Sequence, residues 1–325
     1  NELVLRGFNV RGAVRDLKRA EPLREKIDKL YGPGHFELTL VKDGNAPNAY
    51  DAALDGVQGV IHFAIDVALS FGPQPTTEGA IKSSIDMALG ILKAATKVPT
   101  IKAVVVTSSV VAHAIPSYGK DQFVSVDQYN EEAVKIAYSL PPDHPAKGGM
   151  SYFASKTVSE QELWKWVDET KPSFAVNTVL PHLVLGKPFN PAPGVYSTSS
   201  WLSWFFDGNV DPAKNPMVQS LQPCGWFVDV RDQAIIHIAA LLASDTNHQK
   251  LWAAGSPPVS INDVLDIWRK NFPDRKFPDN YPIPESGVPK FDIDREKETQ
   301  LLKRYAGRDW IPLEESLLDN VKDQA

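Results

Sequence analysis

Apolar and polar positions along the first 185 residues switch repeatedly between a strand period and a helix period. The stretch "FNVRGAVR" (8–15) reads as a strand, "RAEPLREKIDKLYG" as a helix stopping at Gly32, and "FELTLVKD" (36–43) as a second strand. "AYDAALDG" predicts a short helix and "GVQGVIHFA" (56–64) a buried strand. A long amphipathic helix is predicted over 79–97, and "IKAVVVTSS" (101–109) has the continuous β-branched run of a strand buried on both faces. Residues 114–149 read as loop, broken by "LPPDHPAKGG". A helix over 151–170 and a strand over 174–181 follow. Strands alternating with crossover helices predict an α/β fold, a doubly wound parallel sheet.

From Lys187 the character changes. "KPFNPAPGVYSTSS" is rich in proline, and all eight tryptophans lie at or beyond Trp164, with "WLSWFF" at 201–206. A smaller aromatic C-terminal lobe is expected here. "GWFVDVRDQAIIHIAALLA" (225–243) reads as one further strand and helix returning to the main sheet. These changes divide the chain into 1–186 plus 225–250 and 187–224 plus 251–325.

Composition narrows the function classes. With 43% hydrophobic and 23% charged residues, the chain can bury a large core, and no apolar run approaches a bilayer's thickness, so no membrane partner is expected. A formal charge of −6 gives no electrostatic reason to sit on phosphate backbones, so nucleic acid is not expected either. The single cysteine, Cys224, excludes an internal disulfide and suits a reducing, cytoplasmic setting. None of the seven histidines has the spacing of a zinc site, so no metal is expected.

The candidate chemistry lies in "SYFASK" (151–156). Tyr152 and Lys156 stand four apart in a predicted helix and share a face. The strand ending in "VVVTSS" places Ser109 at the carboxyl edge of the sheet, where open α/β folds bind ligands. A phenol titrates near ~10, and lowering that by about three units takes roughly 4 kcal/mol, much of which a nearby ammonium can supply. Tyr152 is therefore expected to protonate a carbonyl oxygen as hydride reaches the carbon, with the Ser109 hydroxyl holding that oxygen.

In their order and spacing, "VRGAVRD", "GVQGVIHFA", "ALGILKA", "VVVTSS", "SYFASK", "NTVLPHLVLG" and "FVDVRDQA" resemble the extended short-chain dehydrogenase/reductases. Within that family they resemble the branch of dihydroflavonol 4-reductases, cinnamoyl-CoA reductases and fungal aldehyde or ketone reductases. The resemblance implies a Rossmann-like fold with Ser109, Tyr152 and Lys156 as catalytic residues, and with Lys156 also reaching the nicotinamide ribose. It implies cofactor contacts at Asp43 for the adenine, at Phe63 and Ala64 along the cofactor, and at Pro181, Leu183 and Val184 at the nicotinamide end. Arg15, with Lys18 and Arg19 behind it, suits a ribose 2′-phosphate, so the cofactor expected is NADP. The family's first strand and glycine-rich turn have no counterpart here, because "NELVLRG" matches the end of the helix after that turn; about twenty family residues are expected ahead of Asn1. After "VIHFA", Ile65 and Asp66 replace the small hydroxyl residue and proline common in relatives.

The implied function is an NADPH-dependent reductase of a small-molecule aldehyde or ketone, acting as a monomer or homodimer, its aromatic lobe supplying the substrate pocket. A nucleotide-sugar epimerase or dehydratase, which would want an acid in place of Arg15, is the alternative enzyme. A non-catalytic dinucleotide sensor is the alternative outside catalysis.

Overall fold

The computed structural model describes residues 1–72, 75–189, 198–208, 215, 218 and 221–322. The proline-rich segment expected after Lys187 lies largely outside these residues. In chain order the elements used below are α1 (Glu2–Leu5), β1 (Val10–Val14), α2 (Leu17–Tyr31), β2 (Phe36–Leu40), β3 (Gly59–His62), α3 (Ala68–Phe71), α4 (Thr77–Ala95) and β4 (Ala103–Thr107). They continue with β5 (Gln122–Val124), α5 (Glu131–Ser139), α6 (Lys147–Thr170), β6 (Ala175–Pro181), β7 (Leu183–Leu185), α7 (Thr198–Phe206), β8 (Phe227–Asp229), β9 (Lys250–Ala253) and β10 (Phe291–Ile293).

The chain forms two compact units. The first holds 1–113, 129–179 and 237–250. Its strands are parallel: β1 pairs with β2, and β4 lies between β3 and β6. Parallel strands need crossover helices, and α2 and α4 supply them. Asp16 starts α2 by accepting a hydrogen bond from Arg19 N, and Gly32 ends it at φ +88°, a backbone conformation that suits glycine. The core lies between α4, β4 and α6, where Leu92, Val104, Leu163 and Val176 are buried with almost no exposure. β4 is apolar and buried along nearly its whole length, as the β-branched run predicts.

The second unit comprises 114–128, 180–236 and 251–325. It contains two small parallel pairs, β7 with β8 and β5 with β10. Phe205 and Phe206 of the "WLSWFF" run are buried against Trp268, with the Phe206 ring 5.2 Å from that of Trp268 and 5.0 Å from Phe272. These two aromatics therefore build the core of this unit.

Among the described residues β1 pairs only with β2, and β3 begins a separate sheet in the order β3-β4-β6-β9. Two expectations need correction. The strand read at 227–229 pairs with β7 instead of returning to the main sheet, and Lys250–Ala253 takes that place. Residues 114–149 are not uniformly loop. Asn130 caps α5 through Ala133 N, with Glu131 and Glu132 in the first turn, and α6 begins at Lys147, ahead of the expected 151.

Candidate active site

Helix α6 carries the site along one face. Tyr152, Lys156 and Glu160 stand at successive steps of four residues, so one helical turn separates each from the next. Tyr152 is half-buried, its ring 5.6 Å from Phe71 of α3 and 6.2 Å from Phe153. The Lys156 ammonium lies 6.0 Å from the centre of the Tyr152 ring and donates to the carbonyl of Thr107, the last residue of β4, at 3.0 Å. The spacing thus does bring the phenol and the ammonium together.

Their electrostatics differ from the sequence-based expectation. Burial pushes the Tyr152 phenol up to about 12, whereas an acidified phenol was expected. The ammonium is engaged with Thr107 O, and desolvation of the phenolate dominates. Burial pulls Lys156 down to about 8, against the neighbouring Glu160 carboxylate, which raises it. Tyr152 is therefore held as a neutral proton carrier, and Lys156 as a cation whose charge is marginal.

Ser109 follows β4 and is buried, in extended backbone at φ −164° and ψ 153°. Its hydroxyl accepts from Val111 N at 3.4 Å and so opens the short helical turn Val110–Ala112. That turn meets α6 at Thr157, whose hydroxyl donates to Phe153 O of its own helix at 2.9 Å and lies 3.4 Å from Ala112 O. Ser109 is placed at the carboxyl end of the central strand, on the turn that α6 supports.

Behind these groups is a polar interior that the sequence reading missed. Glu160 is buried, and its carboxylate accepts a hydrogen bond from the Ser108 hydroxyl. His113 Nε2, Trp164 Nε1 and Thr178 Oγ1 each lie 3.3 Å from its oxygens. Burial pushes this carboxyl up, but the His113 bond and charge, the Ser108 hydroxyl and the charge of Lys250 outweigh it and hold Glu160 below the usual range. A small cavity nearby is lined by His62, Ile65, Ser84, Thr107, Lys156 and Ser159. His62 Nε2 is buried with no hydrogen-bond partner among the described residues; burial, then the charge of Lys156, brings this imidazole down to about 4. The one signal available beforehand was spacing, since Glu160 extends the four-residue ladder that Tyr152 and Lys156 begin.

No protein-family model matches the chain. The NAD-dependent epimerase/dehydratase terH of Aspergillus terreus is 33% identical, across 98% of this chain and 90% of its own length. Aldehyde reductase 2 of Sporidiobolus salmonicolor is 32% identical, across 98% and 90%. Ketoreductase adrE of Penicillium rubens is 35% identical, across 96% and 88%. The chain belongs to the extended short-chain dehydrogenase/reductases. Among solved structures, Gre2 of Candida albicans in complex with NADPH superposes at a TM-score of 0.75 with 22% identity, covering 99% of this chain and 92% of Gre2. This likeness shows the α/β fold of the extended reductases here as well.

The remaining positions implied by the family fall in several places. Arg15 and Lys18 are exposed just after β1; Arg15 has no ion-pair partner among the described residues, because Asp16 is spent on capping α2. Asp43 is exposed beyond β2 and accepts from Asn45 N at 2.9 Å, a turn of its own making. Phe63 is 60% exposed at the end of β3, its ring 5.1 Å from that of His237, and Ala64 lines the cavity that holds Lys156. Pro181, Leu183 and Val184 belong to the second unit. There Leu183 N donates to Trp226 O at 3.2 Å, and Val184 O accepts from the Thr198 hydroxyl at 2.7 Å.

Proposed function

We propose that this member of the extended short-chain dehydrogenase/reductases is an NADPH-dependent reductase of small aldehydes or ketones. The observation that carries the reading is the buried Lys156 ammonium 6.0 Å from the Tyr152 ring, at the carboxyl end of β4 where Ser109 stands. The names of two relatives, an aldehyde reductase and a ketoreductase, favour the same substrate class. The NADPH in the Gre2 complex favours the same cofactor.

The residues present fit such a cofactor. Arg15 is a free, exposed cation suited to a 2′-phosphate, with Lys18 following in the first turn of α2; Lys156 and Ala64 line one cavity, and the ammonium is a donor for ribose hydroxyls. Asp43, Phe63 and Ala64, with Pro181, Leu183 and Val184, complete the proposed contacts. When bound, the reduced nicotinamide supplies the hydride. In this reading 1–186 plus 225–250 form the dinucleotide-binding part, and 187–224 plus 251–325 the substrate lobe.

Ser109 donates its hydroxyl to the substrate oxygen and fixes its position. Tyr152 gives its proton to that oxygen as the carbon is reduced, leaving a phenolate that the Lys156 charge stabilises. A phenol held near 12 is fully protonated at neutral pH, the state a proton donor needs. It is still a stronger acid than the alcohol it forms, so the transfer runs downhill.

The test is NADPH oxidation with a panel of aromatic aldehydes and ketones, for the wild type and for Tyr152→Phe. Turnover should fall by about 10²- to 10⁴-fold in the variant while NADPH binding, read by nucleotide fluorescence, is kept. An unchanged rate in Tyr152→Phe removes Tyr152 from the chemistry, and turnover of nucleotide sugars without net NADPH oxidation favours the epimerase reading instead.

A further inference from the structure

Lys156 is a buried cation whose direct contact is a neutral carbonyl, Thr107 O. An ammonium taken out of water loses its proton unless an opposite charge lies within reach. The groups facing it are Tyr152 and Glu160 on its own helix, the Thr107 carbonyl on β4 and His62 on β3. Tyr152 and His62 are both held uncharged. Glu160 is therefore the carboxylate left to act on it, and it is the one buried acid of the first unit among the described residues.

Glu160 is built to stay ionised. Ser108 at the end of β4, His113 in the turn beyond it, Thr178 on β6 and Trp164 on α6 all direct polar atoms at its two oxygens, and Lys250 adds charge from further off. A carboxylate fed by this many donors remains charged even when buried. Thr107 and Ser159, with Ala88 and Val106, line both the cavity that holds Lys156 and an adjoining one lined by Glu160, Ser108 and Thr178. The two charges stand one helical turn apart on one face of α6, each lining one of two cavities that share a wall, and so act on each other.

We propose that Glu160 is the buried counter-charge that keeps the Lys156 ammonium protonated, and so is a positioning residue of the site that acts on the reaction through Lys156. The consequence for catalysis rests on the reductase reading above; the coupling between the two side chains does not. Because Ser108 precedes Ser109, the same carboxylate also anchors the turn that carries the proposed carbonyl-orienting hydroxyl.

The experiment follows the 13Cε resonance of Lys156 against pH in lysine-labelled protein without substrate, assigned by its loss in Lys156→Arg. Glu160→Gln keeps the shape of the side chain and one accepting oxygen but removes its charge. The Lys156 midpoint, about 8 in the wild type, should fall by about one unit in Glu160→Gln. The alkaline limb of kcat/KM should move down with it. A midpoint equal to that of the wild type in a folded variant overturns the proposal. Coupling is reciprocal, so Lys156→Met should raise the midpoint of the Glu160 carboxyl by a similar amount, and this decides the matter if Glu160→Gln does not fold. An unmoved Glu160 midpoint then overturns it. These titrations need no turnover: absence of carbonyl reduction by the wild type would sink the reductase reading and leave the coupling standing or falling on its own measurement.

Discussion

The side chain on which most depends is Lys156, because its charge is held at an energetic disadvantage. Its folded value of about 8 lies below the ~10.4 of an exposed lysine, so between these values the unfolded chain binds the additional proton. Stability therefore rises as pH climbs from about 8 towards 10.4, and at neutral pH the buried ammonium costs roughly 3 kcal/mol. Lys156→Met should raise the urea midpoint at about pH 7 and flatten its increase at higher pH, while abolishing reductase turnover. A variant less stable than the wild type at neutral pH would contradict this. For the wild type, kcat/KM should decline as pH passes about 8, because the neutral amine no longer supports the phenolate. A decline starting only above pH 10 would show that the lysine is not desolvated in the working enzyme. At this scale the four-residue step that sets Tyr152 and Lys156 on one helix, and the place of Ser109 just after a central strand, were legible. The direction in which Tyr152 is tuned was not, since burial outweighs the ammonium and burial is not written in a four-residue offset. Glu160 escaped notice because its partners, Ser108, His113 and Thr178, come from separate elements.

At the level of elements, the site depends on how closely α3 approaches the start of α6. A Cβ added at Gly148 would lie 2.7 Å from Ser70 O, closer than non-bonded atoms tolerate. Phe71, the next residue, packs its ring 5.6 Å from that of Tyr152, so the glycine sets how the phenol is covered. Gly148→Ala should cost about 1–3 kcal/mol by forcing α3 away, and should lower kcat in the same variant. Unfolding in urea, with turnover measured on the folded fraction, checks both; an unchanged urea midpoint would show that α3 yields freely. The long strands and helices of the first unit were readable from period alone, and β4 most clearly. The short ones were not. The cap and acidic first turn of α5 were present in the sequence, but the "PPDHP" run just after it dominated the reading. The pairing of β7 with β8 was hidden because a three-residue strand has too few positions to show which partner it takes.

For the molecule as a whole, ligand linkage is the test that needs no assumption about substrate. A cofactor that binds only the folded chain stabilises it by about 2.7 kcal/mol at a hundred times its Kd. NADPH should therefore raise the thermal midpoint, NADH should raise it less at equal concentration, and Arg15→Glu should narrow or reverse the difference. Equal shifts from the two nucleotides would remove the 2′-phosphate reading of Arg15. No helix among the described residues is long and apolar enough to cross a membrane, in keeping with the hydropathy of the chain. By itself the sequence determined the α/β class, the buried central strand and the shared face of Tyr152 and Lys156, because helix and strand periods and the four-residue step are properties of local geometry. Only the tertiary structure decided which strands pair, how the chain divides into two units, and that an acid, two hydroxyls and two imidazoles gather behind the lysine. Those depend on contacts between residues far apart in the chain, and a buried charge takes its character from everything that surrounds it.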